Sequence, residues 1–400
     1  MRFPEFAGEW EVRKLGELAD KVNSGKTPLG GEAVYMEHGI LFIRSQNVNN
    51  DRLELENPTF IPEEVNNQMK NSIVQPNDIL LNITGASLGR SCVVPSDFNI
   101  GNVNQHVCII RLSNGNNPRF IQPIFSSDKG QAIFKSLQTG SGREGLNFES
   151  IKGLKLSIPN SSEQQKIASF LSLIDERIQT QNQIIEELKL LKSTLSKKLF
   201  SKHLKFKDDN GDDFPEWGIV RLADICIIIG GGTPETDKIE YWNGNIPWFT
   251  PTEIKTNFVS KSERAISELG LKNSSAKILP KGTILLTTRA TVGEAAIAIV
   301  DCATNQGFQS LIVKDDCNNM FVFYWIKENK HELTKRASGS TFPEINKSQI
   351  EKIKIDIPSL PEQALIANFL CFLGNKIEIE TQELHLLHAK KKYLLTYLFI

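Results

Sequence analysis

The chain has 400 residues, 40% hydrophobic and 23% charged, with a net charge of −1. That length holds two or three domains with real cores, and no run of about eighteen apolar residues marks a membrane span. A near-neutral charge argues against a non-specific DNA coater, whose binding is driven by phosphate neutralisation. Counting by segment does not change this: residues 1–158 carry 16 Lys and Arg against 17 Asp and Glu, and residues 214–357 carry 17 of each. The opening Met1-Arg2-Phe3-Pro4-Glu5 has no apolar signal core. The six cysteines (Cys92, Cys108, Cys226, Cys302, Cys317, Cys371) form no C-x-x-C pair, so they read as reduced thiols of a cytoplasmic protein.

In chain order, residues 1–158 mix short β-type runs with loops. Ile79–Ile83 and Val107–Leu112 predict strands, and Asp128–Leu137 predicts a helix. The loops between them, Asn23–Gly31, Thr84–Arg90, Asn99–His106 and Thr139–Asn147, are rich in Gly, Asn, Ser and Thr. Asn160-x-x-Glu163 then reads as a capping box opening a helix over about 161–203. At about 1.5 Å per residue, such a helix is roughly 60 Å long. Lys205–Asp213 reads as a polar linker. Residues 214–357 repeat the mixed pattern, with strands expected at Ile284–Thr288 and Gln309–Val313 and a helix at Phe321–Arg336. Their loops are Gly230–Thr236, Arg289–Glu294, Ala303–Gln306 and Ser338–Thr341. Ser359-x-x-Glu362 opens a second long helix from about 360 to the C-terminus. The expected class is α+β: two tandem mixed domains, 1–158 and 208–358, with a central helix at 159–207 and a final helix at 359–400.

The organising signal is an internal repeat. Phe3-Pro4-Glu5-Phe6 recurs as Phe214-Pro215-Glu216-Trp217, and Gly25-Lys26-Thr27-Pro28 as Gly231-Gly232-Thr233-Pro234. Ile40-Leu41-Phe42-Ile43 recurs as Ile246-Pro247-Trp248-Phe249, and Asn104-Gln105 as Asn305-Gln306. From Leu154 onward the offset locks at 199, carrying Glu163-Gln164 onto Glu362-Gln363. Early segments match in pattern with different side chains, and late segments match position for position.

Both long helices carry a 3-4 seam. The first runs Ile167, Leu171, Ile174, Ile178, Gln181, Ile185, Leu188, Lys192, Leu195, Leu199, and the second Ile366, Leu370, Leu373, Ile377, Glu380, Leu384, Leu387, Lys391, Leu394, Leu398. Such seams predict a coiled coil, although each helix packing on its own domain is the plainer alternative. A parallel pairing in register sets Lys192 on Lys391, which is costly in a dry seam. An antiparallel pairing with Ile185 opposite Leu387 sets Lys192 opposite Glu380 and Gln181 opposite Lys391, and this is the expected register.

Chemistry of other kinds finds no support. Ser24-Gly25-Lys26-Thr27 has the tail of a phosphate-binding loop, but Asp20 stands where that loop needs glycine. Asn57-Pro58-Thr59-Phe60 has the outline of an adenine-methyltransferase loop without its second proline, and a turn explains it as well. His38, His106, His203, His331, His385 and His388 show no metal-ligand spacing.

The chain resembles the specificity subunits of type I restriction-modification systems. The likeness rests on the tandem repeat, the Phe-Pro-Glu openings, the Gly-x-Thr-Pro loops at Gly25–Pro28 and Gly231–Pro234, and the Pro-x-x-x-Glu-Gln helix entries. The resemblance implies two target-recognition domains reading a split, asymmetric DNA sequence. It implies an antiparallel coiled coil that sets the unread spacer, and no catalytic centre in this chain. It further implies that two methylation subunits and restriction subunits dock on this frame, and that S-adenosylmethionine, ATP and magnesium belong to those partners. The resemblance also implies methylation at adenine N6. By residue type and loop position, the DNA-contact candidates are Lys26, Arg44, Gln46, Asn47, Arg90 and Arg143 in the first copy, and Thr233, Thr250, Thr252, Arg289 and Gln306 in the second. A stand-alone DNA-binding or adaptor protein on a duplicated fold, or a degenerate methyltransferase, are the alternatives.

Overall fold

A computed structural model describes residues 2–49, 51–138, 145–289, 291–337 and 344–399. The candidate Arg143, most of the Thr139–Asn147 loop and the Ser338–Thr341 loop lie outside these residues. The chain divides into two compact units, residues 1–183 with 381–400, and residues 184–380.

In the first unit an antiparallel sheet runs in the order Ala19–Ser24, Val107–Leu112, Ile79–Asn82, Ser91–Val93. Side chains alternate across a strand, and here both faces are buried. Ile79, Leu81, Cys108 and Ile110 join one core with Phe120, Phe125 and Phe134. Leu80, Val107 and Ile109 join another with Ile43, Val48 and Val103. A second sheet, Phe60–Ile61, Ile40–Ile43, Gly101–Val103, Ile73–Val74, contains one parallel pair. A ribbon of Glu11–Lys14 on Lys155–Ile158 joins the start of the copy to the entry of the long helix.

The second unit repeats these parts. Its five-stranded sheet is ordered Cys226–Gly230, Gln309–Val313, Ile284–Leu286, Ala295–Ala298, Phe258–Val259. A three-stranded sheet sets Trp242–Phe249 between Arg264–Ile266 and Ala303–Thr304, and the ribbon is Gly218–Arg221 on Lys354–Ile357. The expected strands Val107–Leu112 and Gln309–Val313 are found at those bounds. Ile284–Thr288 shortens to Ile284–Leu286, because Thr287 and Thr288 turn their hydroxyls onto loop carbonyls. The helix expected over Phe321–Arg336 is two, Asn319–Glu328 and Lys330–Arg336, broken at Asn329.

The long helices are Ser161–Phe200 and Leu360–Leu398. Asn160 caps the first through its Oδ1, which accepts from the Glu163 amide at 2.9 Å. Among the described residues the glutamates of the two expected boxes have other partners. The Glu163 carboxylate accepts two bonds from Arg2 at 2.7 Å, and that of Glu362 accepts from the Trp217 indole at 3.1 Å. The buried Ser359 hydroxyl has no hydrogen-bond partner among the described residues. The helix starts are thus fastened to the Phe-Pro-Glu openings of the two copies rather than closed on themselves.

The two helix starts should respond differently to mutation. Burial first, against the opposing Trp217 bond, raises the Glu362 carboxyl above its usual range. A raised carboxyl pKa means that the charged form is the disfavoured one in the fold, so Glu362→Gln should change stability by less than about 1 kcal/mol. Glu163→Gln removes half of an ion pair whose carboxylate is fully buried, and should lower the urea midpoint clearly more. Equal shifts in urea melts of the two variants overturn the contrast.

Two seam lysines have partners in the globular parts. In the first unit Lys391 lies 2.7 Å from both Asp51 and Asp175. In the second unit a Cβ on Gly374 would fall 2.9 Å from the Lys192 ammonium, which lies 5.1 Å from the centre of the Tyr324 ring. Glu380 pairs with Lys376 one turn earlier. Burial, then Lys327, lowers the Lys192 ammonium from its usual range. Within the first unit Arg177 also meets Glu383, at 2.8 Å.

Candidate nucleic-acid interface

The Gly-x-Thr-Pro loop of each copy is pressed against the Asn-Gln loop. A Cβ on Gly25 would strike the Val103 carbonyl, and one on Gly231 would strike the Asn305 carbonyl, so only glycine admits this approach. The contact delivers the same polar pair twice. Thr27 Oγ1 donates to Gln105 Oε1 at 2.7 Å, and Thr233 Oγ1 donates to Gln306 Oε1 at 2.6 Å. Both pairs are exposed to solvent. Gln105, Thr27 and His106 were missed as candidates, although the repeat sets Gln105 opposite Gln306. His106 accompanies them, with Nδ1 2.6 Å from Thr84 Oγ1 and Nε2 3.0 Å from Gln105.

A second loop joins each site after the neighbouring strand. Ser45–Asn47 and Pro251–Glu253 are matching 3-10 turns. In the first, the Arg44 amide donates to Asn47 Oδ1 at 3.0 Å, and in the second the Thr250 amide donates to Glu253 Oε2 at 2.6 Å. The same backbone therefore carries different outward side chains, which is what two different base readings need.

The candidates separate accordingly. Lys26, Gln46, Arg90, Thr252, Arg289 and Gln306 are exposed, and Thr233 and Thr250 are half-buried. Asn47 is a correction: it is buried, and its amide nitrogen donates to the Glu54 carbonyl at 2.9 Å, so it shapes the turn instead of facing outward. Arg44 is half-buried, its guanidinium donating to Thr59 Oγ1 at 2.8 Å. Arg90 donates to Asn49 at 3.0 Å, and Arg289 is paired with Glu344 at 2.8 Å. Thr250 and Thr252 share hydroxyl contact at 3.1 Å.

No group of three or more His, Cys, Asp or Glu among the described residues is placed to hold a metal. Burial pushes the Cys108, Cys226 and Cys302 thiols up to about 12, away from the reactive thiolate. No helix is long and apolar enough to cross a membrane among the described residues.

Residues 7–190 and 215–389 each match the type I restriction modification DNA specificity domain. The specificity subunit of the type I restriction enzyme MjaIX from Methanocaldococcus jannaschii is 40% identical over 180 residues, 44% of this chain and 42% of that protein. The putative MjaX specificity subunit of the same organism is 25% identical over 98% of this chain and 93% of its own length. The crystal structure of the type I restriction-modification S subunit from M. genitalium superposes with a TM-score of 0.61 at 16% identity, covering 100% of this chain and 99% of that one.

Proposed function

The chain belongs to the type I restriction modification DNA specificity family, and from that premise we propose that it is the sequence-reading subunit of a type I restriction-modification complex. Its domains at 1–158 and 208–358 each read one half of a split, asymmetric DNA target. The two long helices act as an antiparallel coiled-coil spacer, so the half-site distance is a property of helix geometry. Two methylation subunits and the restriction subunits act on this frame. They carry S-adenosylmethionine, ATP and magnesium, and the product is N6-methyladenine in both half-sites.

The observation that carries this reading is the duplicated loop face. The Thr27–Gln105 and Thr233–Gln306 pairs recur at one place on one backbone, while Arg44-Ser45-Gln46-Asn47 and Thr250-Pro251-Thr252-Glu253 fill the adjoining turn with different side chains. A protein with a net charge of −1 gains little from phosphate contacts alone. It suits a reader that relies on base edges and on partners that share the DNA.

The test is co-production with the cognate methylation subunit, followed by single-molecule sequencing of host DNA. The expected result is a split, asymmetric motif carrying N6-methyladenine in both strands and lost when this chain is omitted. Methylation that does not depend on the chain overturns the reading in favour of a stand-alone DNA-binding or adaptor protein.

A further inference from the structure

We propose that Arg264 is a specificity-determining DNA contact of the second domain, holding its guanidinium fork toward an acceptor pair such as the O6/N7 edge of guanine. This rests on the DNA-reading role above and deepens it.

Arg264 is exposed at the start of the short strand Arg264–Ile266. Its guanidinium carbon lies 3.4 Å from the centre of the Trp242 ring and 5.7 Å from that of Trp248. The two indoles are buried and meet edge to face at 5.1 Å. They are themselves tied to the Gly-x-Thr-Pro loop: Trp248 Nε1 donates to the Gly232 carbonyl at 2.8 Å, and Trp242 Nε1 donates to the Glu235 carbonyl at 3.1 Å. The cation is therefore mounted beside the loop that presents Thr233, the donor to Gln306. Stacking on an indole orients the guanidinium plane while leaving its N–H edge open. No carboxylate among the described residues lies within ion-pair distance of it. Arg289, by contrast, is already paired with Glu344.

The first copy makes the same arrangement with exchanged strands. Ile40 pairs with Ile61, and Ile246 with Ile266. Two residues along, Trp248 pairs with Arg264, and the Phe42 amide donates to the Thr59 carbonyl at 2.7 Å. Thr59 thus stands in the slot of Arg264. It receives the guanidinium of Arg44, which lies 5.8 Å from the centre of the Tyr35 ring. Each copy places one aromatic-backed guanidinium at this strand pair, from Arg44 in one and from Arg264 in the other. A packing role for Arg264 gives no reason for a guanidinium to return to that place from a different strand.

The test compares Arg264→Ala and Arg264→Lys with the unaltered chain, each co-produced with the methylation subunit. The methylated motif is read by single-molecule sequencing and the fold by thermal melting. Both variants should lose about tenfold or more of the discrimination at one base pair of one half-site, with the other half-site unchanged. The lysine variant keeps charge and stem but lacks the planar fork, so it decides the matter if the alanine variant melts early. An unchanged motif in a folded lysine variant overturns the proposal. So does a uniform fall in methylation at every site without relaxed sequence, which marks a phosphate contact. If the unaltered chain itself directs no split motif, the DNA-reading role falls, and that outcome is visible before any variant is compared.

Discussion

Lys391→Met should destabilise the chain by about 3 kcal/mol, the lower end of the cost of removing one partner from a buried ion pair. Lys391 is 13% exposed and touches Asp51 and Asp175, each at 2.7 Å. Asp51 is held further by Gln122 at 3.0 Å and by Ser126. Removing the ammonium leaves two carboxylates with no shared cation. Asp175 is 38% exposed, so water screens part of the repulsion and the larger figures are not expected. The residues brought together are distant in sequence: a turn at 51, the first long helix at 175 and the last helix at 391. The loss should appear as a lower urea midpoint. A midpoint equal to that of the unaltered chain would falsify the network's role in stability.

The same network sets a pH window. Burial alone raises the Asp51 carboxyl, but Lys391, Ser126 and Gln122 together outweigh it, and the net shift is downward. A depressed folded carboxyl stabilises above its unfolded pKa, and the gain is lost as pH falls through the folded value. Burial lowers the Lys391 ammonium, but Asp51 and Asp175 reverse this and the net shift is upward. A raised folded ammonium stabilises below its unfolded pKa, and the gain is lost as pH rises through the folded value. The full contribution therefore spans neutral pH, bounded by the ordinary carboxylate range below and the ordinary lysine range above. The stability gap between the unaltered chain and Lys391→Met, measured by urea melts across pH, should be widest in that window and close at the acid end.

Gly25→Ala and Gly231→Ala are the second pair of large effects expected. In both, the new Cβ would meet a backbone carbonyl, that of Val103 or Asn305, which cannot rotate aside as a side chain can. The loop must move, at a cost of about 3 kcal/mol, the upper part of the range for overpacking. The displaced loop also breaks the Thr27–Gln105 or Thr233–Gln306 pair. Each variant should reduce methylation of its target and lower the melting temperature. Gly218→Ala is the control: its nearest neighbour is the Ile357 carbonyl at 4.0 Å, and it should leave both readouts unchanged. Wild-type methylation by Gly25→Ala and Gly231→Ala would show that the tight approach is dispensable.

The strands and the long helices were legible in the sequence because they depend on local periodicity, and the repeat because its short motifs recur in the same order. Val107–Leu112 and Gln309–Val313 announce themselves by runs of β-branched and apolar residues. The forty-residue and thirty-nine-residue helices follow from their 3-4 seams. The Gly-x-Thr-Pro and Asn-Gln motifs were also visible, and their recurrence marked the polar loops as the place to look for the site. Their union into Thr–Gln pairs was not visible, because 78 and 73 residues of chain separate the partners.

What the tertiary structure alone decided are the partners of charged side chains. Seam spacing gives no sign of Asp51, which meets Lys391, or of Tyr324, whose ring lies under Lys192. Asn47 has the residue type of a base reader, but its backbone turn consumes it. Arg264 has no motif around it and gains its place only from two tryptophans that the sheet brings beneath it. Periodic burial is a property of neighbours along the chain, so the order of residues determines which of them form helices and strands. An ion pair or a stacked cation is a property of neighbours in space, set by whichever opposite charge or aromatic face the packed backbone brings within a few ångströms.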